Sequence, residues 1–236
     1  MLSTDLSEER PVQVKALELS RSFNLRDLGG LSTRTGQAVV PGRLYRSGDP
    51  SQLGLPTADG LACAIGFRTV IDLRMSIELK EHGTGLHLLS CRRLHHPLFE
   101  IALPHWVDPS DGSPQATATR YLEMLCEGAG MLVQIVRALG ERDALPAIIH
   151  CAAGRDRTGI VIACVLDLLG VADETIASDY ALSDLAANDT GRAHSETILH
   201  FLSLLRRQHG STFELLTKHG MSADDQEQLL RSLLTG

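Results

Sequence analysis

The chain has 236 residues, 22 Lys+Arg against 29 Asp+Glu and a formal charge of −7, with 43% hydrophobic and 22% charged residues. This mildly acidic balance argues against a general binder of nucleic acid or anionic membranes, and 4% aromatic residues leave few rings on which bases could stack. Five cysteines, at 63, 91, 126, 151 and 164, are odd in number and form no CxxC pair, which argues against a disulfide framework and a zinc ribbon and fits reduced thiols in a cytosol.

The N-terminal run MLSTDLSEERPVQVK carries Asp5, Glu8 and Glu9 where a secretory signal needs basic and then apolar residues. The apolar stretch IVIACVL at 160–166 is far shorter than the roughly 20 residues of a membrane span. A soluble cytoplasmic protein without stable membrane insertion is expected, with export by a non-standard route left open. No internal repeat is evident, so one domain over 1–236 is expected, with 1–20 as an N-terminal extension and the helices of 184–236 packed on the same domain.

Residues 20–50 read as strands and turns, punctuated by Gly29-Gly30, Thr35-Gly36 and Pro41-Gly42, with RLYRS at 43–47 alternating as a half-buried strand does. A short helix is expected over 57–65. RTVIDLR at 68–74 and LPAIIH at 145–150 read as strands covered on both faces, and 86–96 as a further strand stopped by Pro97. Helices are expected at about 115–127 and 129–140, then at 158–170 ending on Gly170, and at 173–184 behind Asp173 as N-cap. Helices near 194–208, 211–218 and 223–234 complete the chain, the last behind a Ser222…Asp225 capping box. Strands alternating with helices predict an α/β layered fold.

The chemistry lies in His150-Cys-Ala-Ala-Gly-Arg-Asp-Arg-Thr-Gly159, between a buried strand and an apolar helix, where loop amides and the helix dipole converge on an anion site. Ala152, Ala153, Gly154, Arg155 and Asp156 offer backbone N–H groups, and the fork of Arg157 suits two oxygens of a phosphoryl group. The same dipole and guanidinium groups favour the thiolate of Cys151, making it a nucleophile. Thr158 is placed to donate its hydroxyl to the sulfur when a phosphocysteine is hydrolysed. His150 is read as shaping the loop. A lone cysteine or arginine would be core or surface, but their joint occurrence with Gly154 and Thr158 outweighs that reading. Ile160 and Val161 follow Gly159 where a nucleoside-triphosphate loop needs Lys and Ser/Thr.

At this loop the chain resembles the cysteine-dependent tyrosine phosphatases, and more narrowly the bacterial tyrosine/serine phosphatase family with the loop HCxAGKDRTG, which includes a mycobacterial enzyme acting on phosphoproteins and phosphoinositides. SFNLRDLGG at 22–30, PGRLYRSG at 41–48, VIDLR at 70–74, DYALS at 179–183 and the GMSADDQEQLLRSLL tail carry the resemblance beyond the loop. It implies a phosphatase-type fold with a central, mostly parallel sheet flanked by helices. It also implies hydrolysis of phosphate monoesters without a metal or cofactor, with Cys151 as nucleophile and Arg157 as phosphate clamp. The partners implied are a phosphotyrosine protein, or a phosphorylated small molecule or lipid head group, with inorganic phosphate as product. Arg155 stands where the family has lysine, which puts phosphotyrosine ahead of phosphoinositides.

Leaving-group protonation needs a carboxyl group. Asp156, inside the loop, ranks first, Asp72 at the end of VIDLR is a close second, and Asp108 in Trp106-Val-Asp-Pro109 is a loop coincidence. Arg26, Asp27 and Arg46 read as structural ion-pairing residues. His95 and His96 point to opposite faces of a strand, so no metal is expected there. Cys63, Cys126 and Cys164 read as core, with a resolving role toward Cys151 left open. The alternative function is a phospho-recognition protein using the same loop with little chemistry; sulfur transfer or arsenate reduction ranks below it for want of a clear second cysteine.

Overall fold

A computed structural model of the chain describes residues 23–50, 63–82, 91–100, 111–185 and 193–235. Five strands form one sheet: β1 (Arg26–Asp27), β2 (Leu44–Ser47), β3 (Thr69–Asp72), β4 (Arg92–His95) and β5 (Ala147–His150), in the spatial order β1-β2-β5-β3-β4. Only the β1–β2 pair is antiparallel. The two runs expected to be covered on both faces, β3 and β5, are buried at every position. Their side chains alternate as a pleat requires: Ile71 and Ile149 enter the main core, while Val70 and Ile148 join a smaller cluster with Phe23, Leu25 and Phe67. This is the mostly parallel α/β arrangement expected.

Residues 63–65 are helical, and the α-helices after them are α1 (Ser76–His82), α2 (Pro114–Gly140), α3 (Asp156–Leu168), α4 (Asp173–Ala181), α5 (Ser195–His209), α6 (Thr212–Lys218) and α7 (Ala223–Leu233), with a 3-10 turn, Leu182–Leu185, directly after α4. The two helices expected at 115–127 and 129–140 are one, α2, 27 residues long. Gly128 is no break in it. A Cβ there would lie 2.3 Å from the carbonyl oxygen of Leu98, so the glycine serves a close approach and the buried face runs on through Leu125, Ala129, Leu132 and Val136. Helix α3 begins two residues before the expected 158, and α4 takes Ala172 as its N-cap in place of Asp173. The carboxylate of Asp173 is drawn instead to Arg206 and Arg34. The capping box at Ser222 and Asp225 forms as expected. Of the expected elements, residues 57–62 and 86–90 lie outside the described residues, as does Asp108.

The register sets up the site. Parallel pairing places Ser47 beside His150, and His150 beside Asp72, at the carboxyl edge of the sheet, where open α/β sheets bind their ligands. The chain leaves β5 there and returns as α3, whose buried residues from Gly159 to Leu166 fix the helix against the core.

Candidate active site

The loop from Cys151 to Arg155 is held from outside by its carbonyl groups. Asn24 Nδ2 donates to the carbonyl of Gly154 at 2.8 Å, Arg46 Nη2 donates to the same oxygen at 2.8 Å, and the Asp49 amide donates to Ala152 at 2.8 Å. Gly154 has φ +70°, and a Cβ would stand 2.4 Å from the backbone of Ser47 and Gly48, so both the turn and the approach demand glycine. Its N–H donates to Cys151 Sγ at 3.2 Å. Cys151 is buried, and its sulfur faces the N-terminal end of α3, whose dipole favours negative charge there.

Beneath the loop lies a buried polar cluster built from the N-terminal signature. Arg26 Nε donates to Asp179 at 2.7 Å, Arg46 Nη1 donates to the other carboxylate oxygen at 2.6 Å, and both guanidinium groups reach Ser183 Oγ at 3.3 Å. Burial pushes the Asp179 carboxyl up, but Arg46 and Arg26 outweigh it and hold it below the ordinary carboxylate range. Arg26 and Arg46 are therefore structural supports of the loop. Asp27 accepts from the Gly29 and Gly42 amides at 2.9 and 2.7 Å and ties a turn.

Arg157 lies against the loop with its two terminal nitrogens on the Glu78 carboxylate, Nη2 at 2.8 Å from Oε1, and its guanidinium 5.8 Å from the centre of the Phe99 ring. Burial would lower its basicity, yet the charges of Glu78 and Cys151 raise it. Glu78 also accepts the Met75 amide at 2.7 Å. Sequence reasoning missed Glu78, because nothing in SIELKEH marks it as a partner of a residue 79 positions away. Thr158 is fully buried with a hydroxyl that has no hydrogen-bond partner among the described residues.

The two leading carboxylates have different surroundings. Asp72 receives Arg74 Nε at 3.0 Å, Nη2 at 2.6 Å and the Arg74 amide at 2.9 Å, and Arg74 also reaches Asp49 at 2.5 Å. Burial raises the Asp72 carboxyl, but these bonds and His150 together hold it below the ordinary range. His150 stands 3.7 Å from Asp72, and burial first of all keeps its imidazole neutral. Asp156 is partly exposed on the loop and receives Arg155 Nε at 3.3 Å and the hydroxyl of Tyr121 at 2.5 Å. Tyr121, which the sequence did not single out, is itself 2.7 Å from the hydroxyl of Tyr180.

The remaining candidates sit apart. His95 Nε2 lies 2.8 Å from the Arg74 carbonyl, and among the described residues no group of three potential ligands could hold a metal. Of the three cysteines expected in the core only Cys164 is buried; Cys126 is half-buried on α2 beside His209, and Cys63 is exposed. Among the described residues no helix is long and apolar enough to cross a membrane.

A sequence model described as "Tyrosine phosphatase family" matches residues 17–235. The chain is 31% identical over 194 residues to the triple specificity protein phosphatase PtpB of Mycobacterium tuberculosis, covering 71% of this chain and 68% of that protein. It is 30% identical over 189 residues to a putative tyrosine-protein phosphatase of Cupriavidus necator, covering 75% of this chain and 64% of the relative. The chain thus spans about two thirds of the length of these relatives. Among solved structures, the core catalytic domain of the PP-IP phosphatase SIW14 from S. cerevisiae, in complex with citrate, superposes at a TM-score of 0.39 with 15% identity over 71% of this chain and 88% of that one, too loosely to bear on function.

Proposed function

The chain belongs to the tyrosine phosphatase family, and from that premise we propose that it hydrolyses phosphate monoesters through a phosphocysteine on Cys151, with protein phosphotyrosine as the first substrate class. Phosphoserine, phosphothreonine and phosphoinositides are wider classes for the same loop. The observation that carries the reading is the nucleophile's setting: a buried sulfur accepting a loop N–H, at the N-terminus of a 13-residue helix, with an arginine six positions on held beside it by a carboxylate.

The thiolate of Cys151 attacks phosphorus, the phosphorus–oxygen ester bond breaks, and the departing oxygen takes a proton from Asp156. Water then attacks the phosphocysteine, Asp156 takes back a proton, and inorganic phosphate leaves with Cys151 restored as thiolate. The loop amides from Ala152 to Arg157 and the guanidinium of Arg157 stabilise the charge on the equatorial oxygens, and the buried Thr158 hydroxyl donates to the sulfur as it leaves. Asp156 is preferred to Asp72 because Asp72 is a buried carboxylate fixed by four bonds from Arg74, whereas Asp156 opens α3 at the end of the loop and is partly open. No step requires a metal. Arg155, whose guanidinium leans on Asp156, presents a larger and less mobile cation than lysine, which supports phosphotyrosine ahead of a lipid head group. The five free cysteines suit a reducing compartment, the cytoplasm.

The test is phosphate release from an aryl phosphate and from a phosphotyrosine peptide, in chelator, with wild type beside Cys151→Ser. Release by the wild type alone is the expected result. Tight phosphopeptide binding without release, unchanged in Cys151→Ala, would overturn the enzyme in favour of a recognition protein.

A further inference from the structure

Resting on Asp156 as the proton donor, we propose that Tyr121 and Tyr180 are positioning residues for it: their two hydroxyls form a reversible hydrogen-bond chain that holds Asp156 in both of its protonation states. A residue that gives a proton in one step and takes one in the next must keep its place while its hydrogen-bonding character inverts. A charged carboxylate only accepts; a protonated one also donates. A cation such as Arg155 donates in either state but can accept nothing from the protonated one.

A phenol serves both. With Asp156 charged, Tyr180 donates to Tyr121 across 2.7 Å and Tyr121 donates to Asp156 Oδ1 across 2.5 Å. With the proton on Oδ1, Asp156 donates to Tyr121 and Tyr121 donates to Tyr180. The two hydroxyls rotate, and no proton is gained or lost by either tyrosine. Both phenols keep their protons for this: burial pushes Tyr121 well above its ordinary value and Tyr180 up to about 12.

The rings are placed to make this chain rigid. Tyr121 comes from the N-terminal third of α2 and packs edge-on against Tyr180 and Phe201, each with centroids 6.2 Å away. Tyr180, from α4, lies so close to α3 that a Cβ on Gly159 would meet its ring at 2.9 Å. Two helices thus deliver buried hydroxyls to the first residue of a third. The other charged groups facing this chain are Arg155 on Asp156, Arg157 within electrostatic reach of Asp156, and Arg46 within reach of Tyr180.

The test compares Tyr121→Phe, Tyr180→Phe and the double variant with wild type and Asp156→Asn. Aryl phosphates of good and poor leaving groups are followed across pH, and folding is verified by thermal melting. Tyr121→Phe is expected to slow the poor leaving group about tenfold and the good one little. The alkaline limb of kcat/KM, which reports the acid, should also be displaced, a change that a merely structural role would not produce. Tyr180→Phe should act in the same direction and more weakly, and the double variant should be no worse than Tyr121→Phe. Equal losses on both substrates with an unmoved pH profile would overturn the proposal while Asp156→Asn still shows its selective loss. An Asp156→Asn variant without selective loss would overturn the assignment of the acid itself. If Tyr121→Phe does not fold, Tyr180→Phe, which does not touch Asp156, carries the same comparison.

Discussion

Glu78 holds both terminal nitrogens of Arg157 from a helix 79 residues earlier in the chain. The pair fixes the plane of the guanidinium that the proposed reaction sets against two phosphoryl oxygens. Glu78→Gln keeps the shape and removes the charge, and is expected to lower kcat/KM about 10- to 100-fold with a smaller change in melting temperature. The bond from Arg157 holds the Glu78 carboxyl below the ordinary range. A depressed folded value means that the pair's contribution is complete above the ordinary carboxylate range and fades as pH falls through the depressed value. Urea midpoints at neutral and acid pH should therefore converge between wild type and Glu78→Gln as the solution is acidified.

The Asp179 carboxylate is shared by two guanidinium groups in the interior, and its side chain is 6% exposed. Asp179→Asn leaves the buried Arg46 and the partly buried Arg26 without their common partner and is expected to cost about 3–5 kcal/mol in urea unfolding. Asp179 too is depressed, so the loss should shrink in acid for the same reason as for Glu78.

Gly154→Ala places a methyl group 2.4 Å from the backbone of Ser47 at a φ of +70°. The expected outcome is a fall in phosphate release of more than about 100-fold, since the loop must shift to admit the methyl and the N–H on Cys151 shifts with it. Gly159→Ala presses on the Tyr180 ring at 2.9 Å, with Arg46 Nη2 next at 3.8 Å, and should be milder because a side chain and not backbone must give. Parallel rate and melting measurements separate the two.

Asp72→Asn and Asp156→Asn are expected to part company. The first breaks a buried pair with Arg74 and should lower stability, with rate losses similar for good and poor leaving groups. The second should spare the good leaving group and slow the poor one by about 100-fold or more. A leaving-group-selective loss in Asp72→Asn would reverse the assignment.

Sequence patterns close together in the chain were the ones that could be read. Cys151, Gly154 and Arg157 lie within seven residues, and the β-branched runs TVID and AIIH announce buried strands by composition alone. What escaped was set by tertiary distance. Glu78 and Tyr121 acquire their roles only when α1 and α2 are packed beside the loop, and neither differs locally from a surface acid or a core aromatic. The break expected near Gly128 failed for a related reason: glycine's low helix propensity was overridden by a contact with Leu98, 30 residues away. Asp173 has the residue type of an N-cap, yet Arg34 and Arg206 claimed its carboxylate from outside the helix.

The outward anchoring of the loop carbonyls has a consequence for selectivity. A trans peptide unit is rigid, so an oxygen pulled one way turns the following N–H the other way. With the carbonyls of Ala152, Ala153 and Gly154 held by Asp49, Asn24 and Arg46, the amides of residues 153–155 are aimed before any ligand arrives. The aim of these amides thus resides in three residues far earlier in the chain, which the proposed reaction does not itself use. The methyl groups of Ala152 and Ala153 take no part in this anchoring.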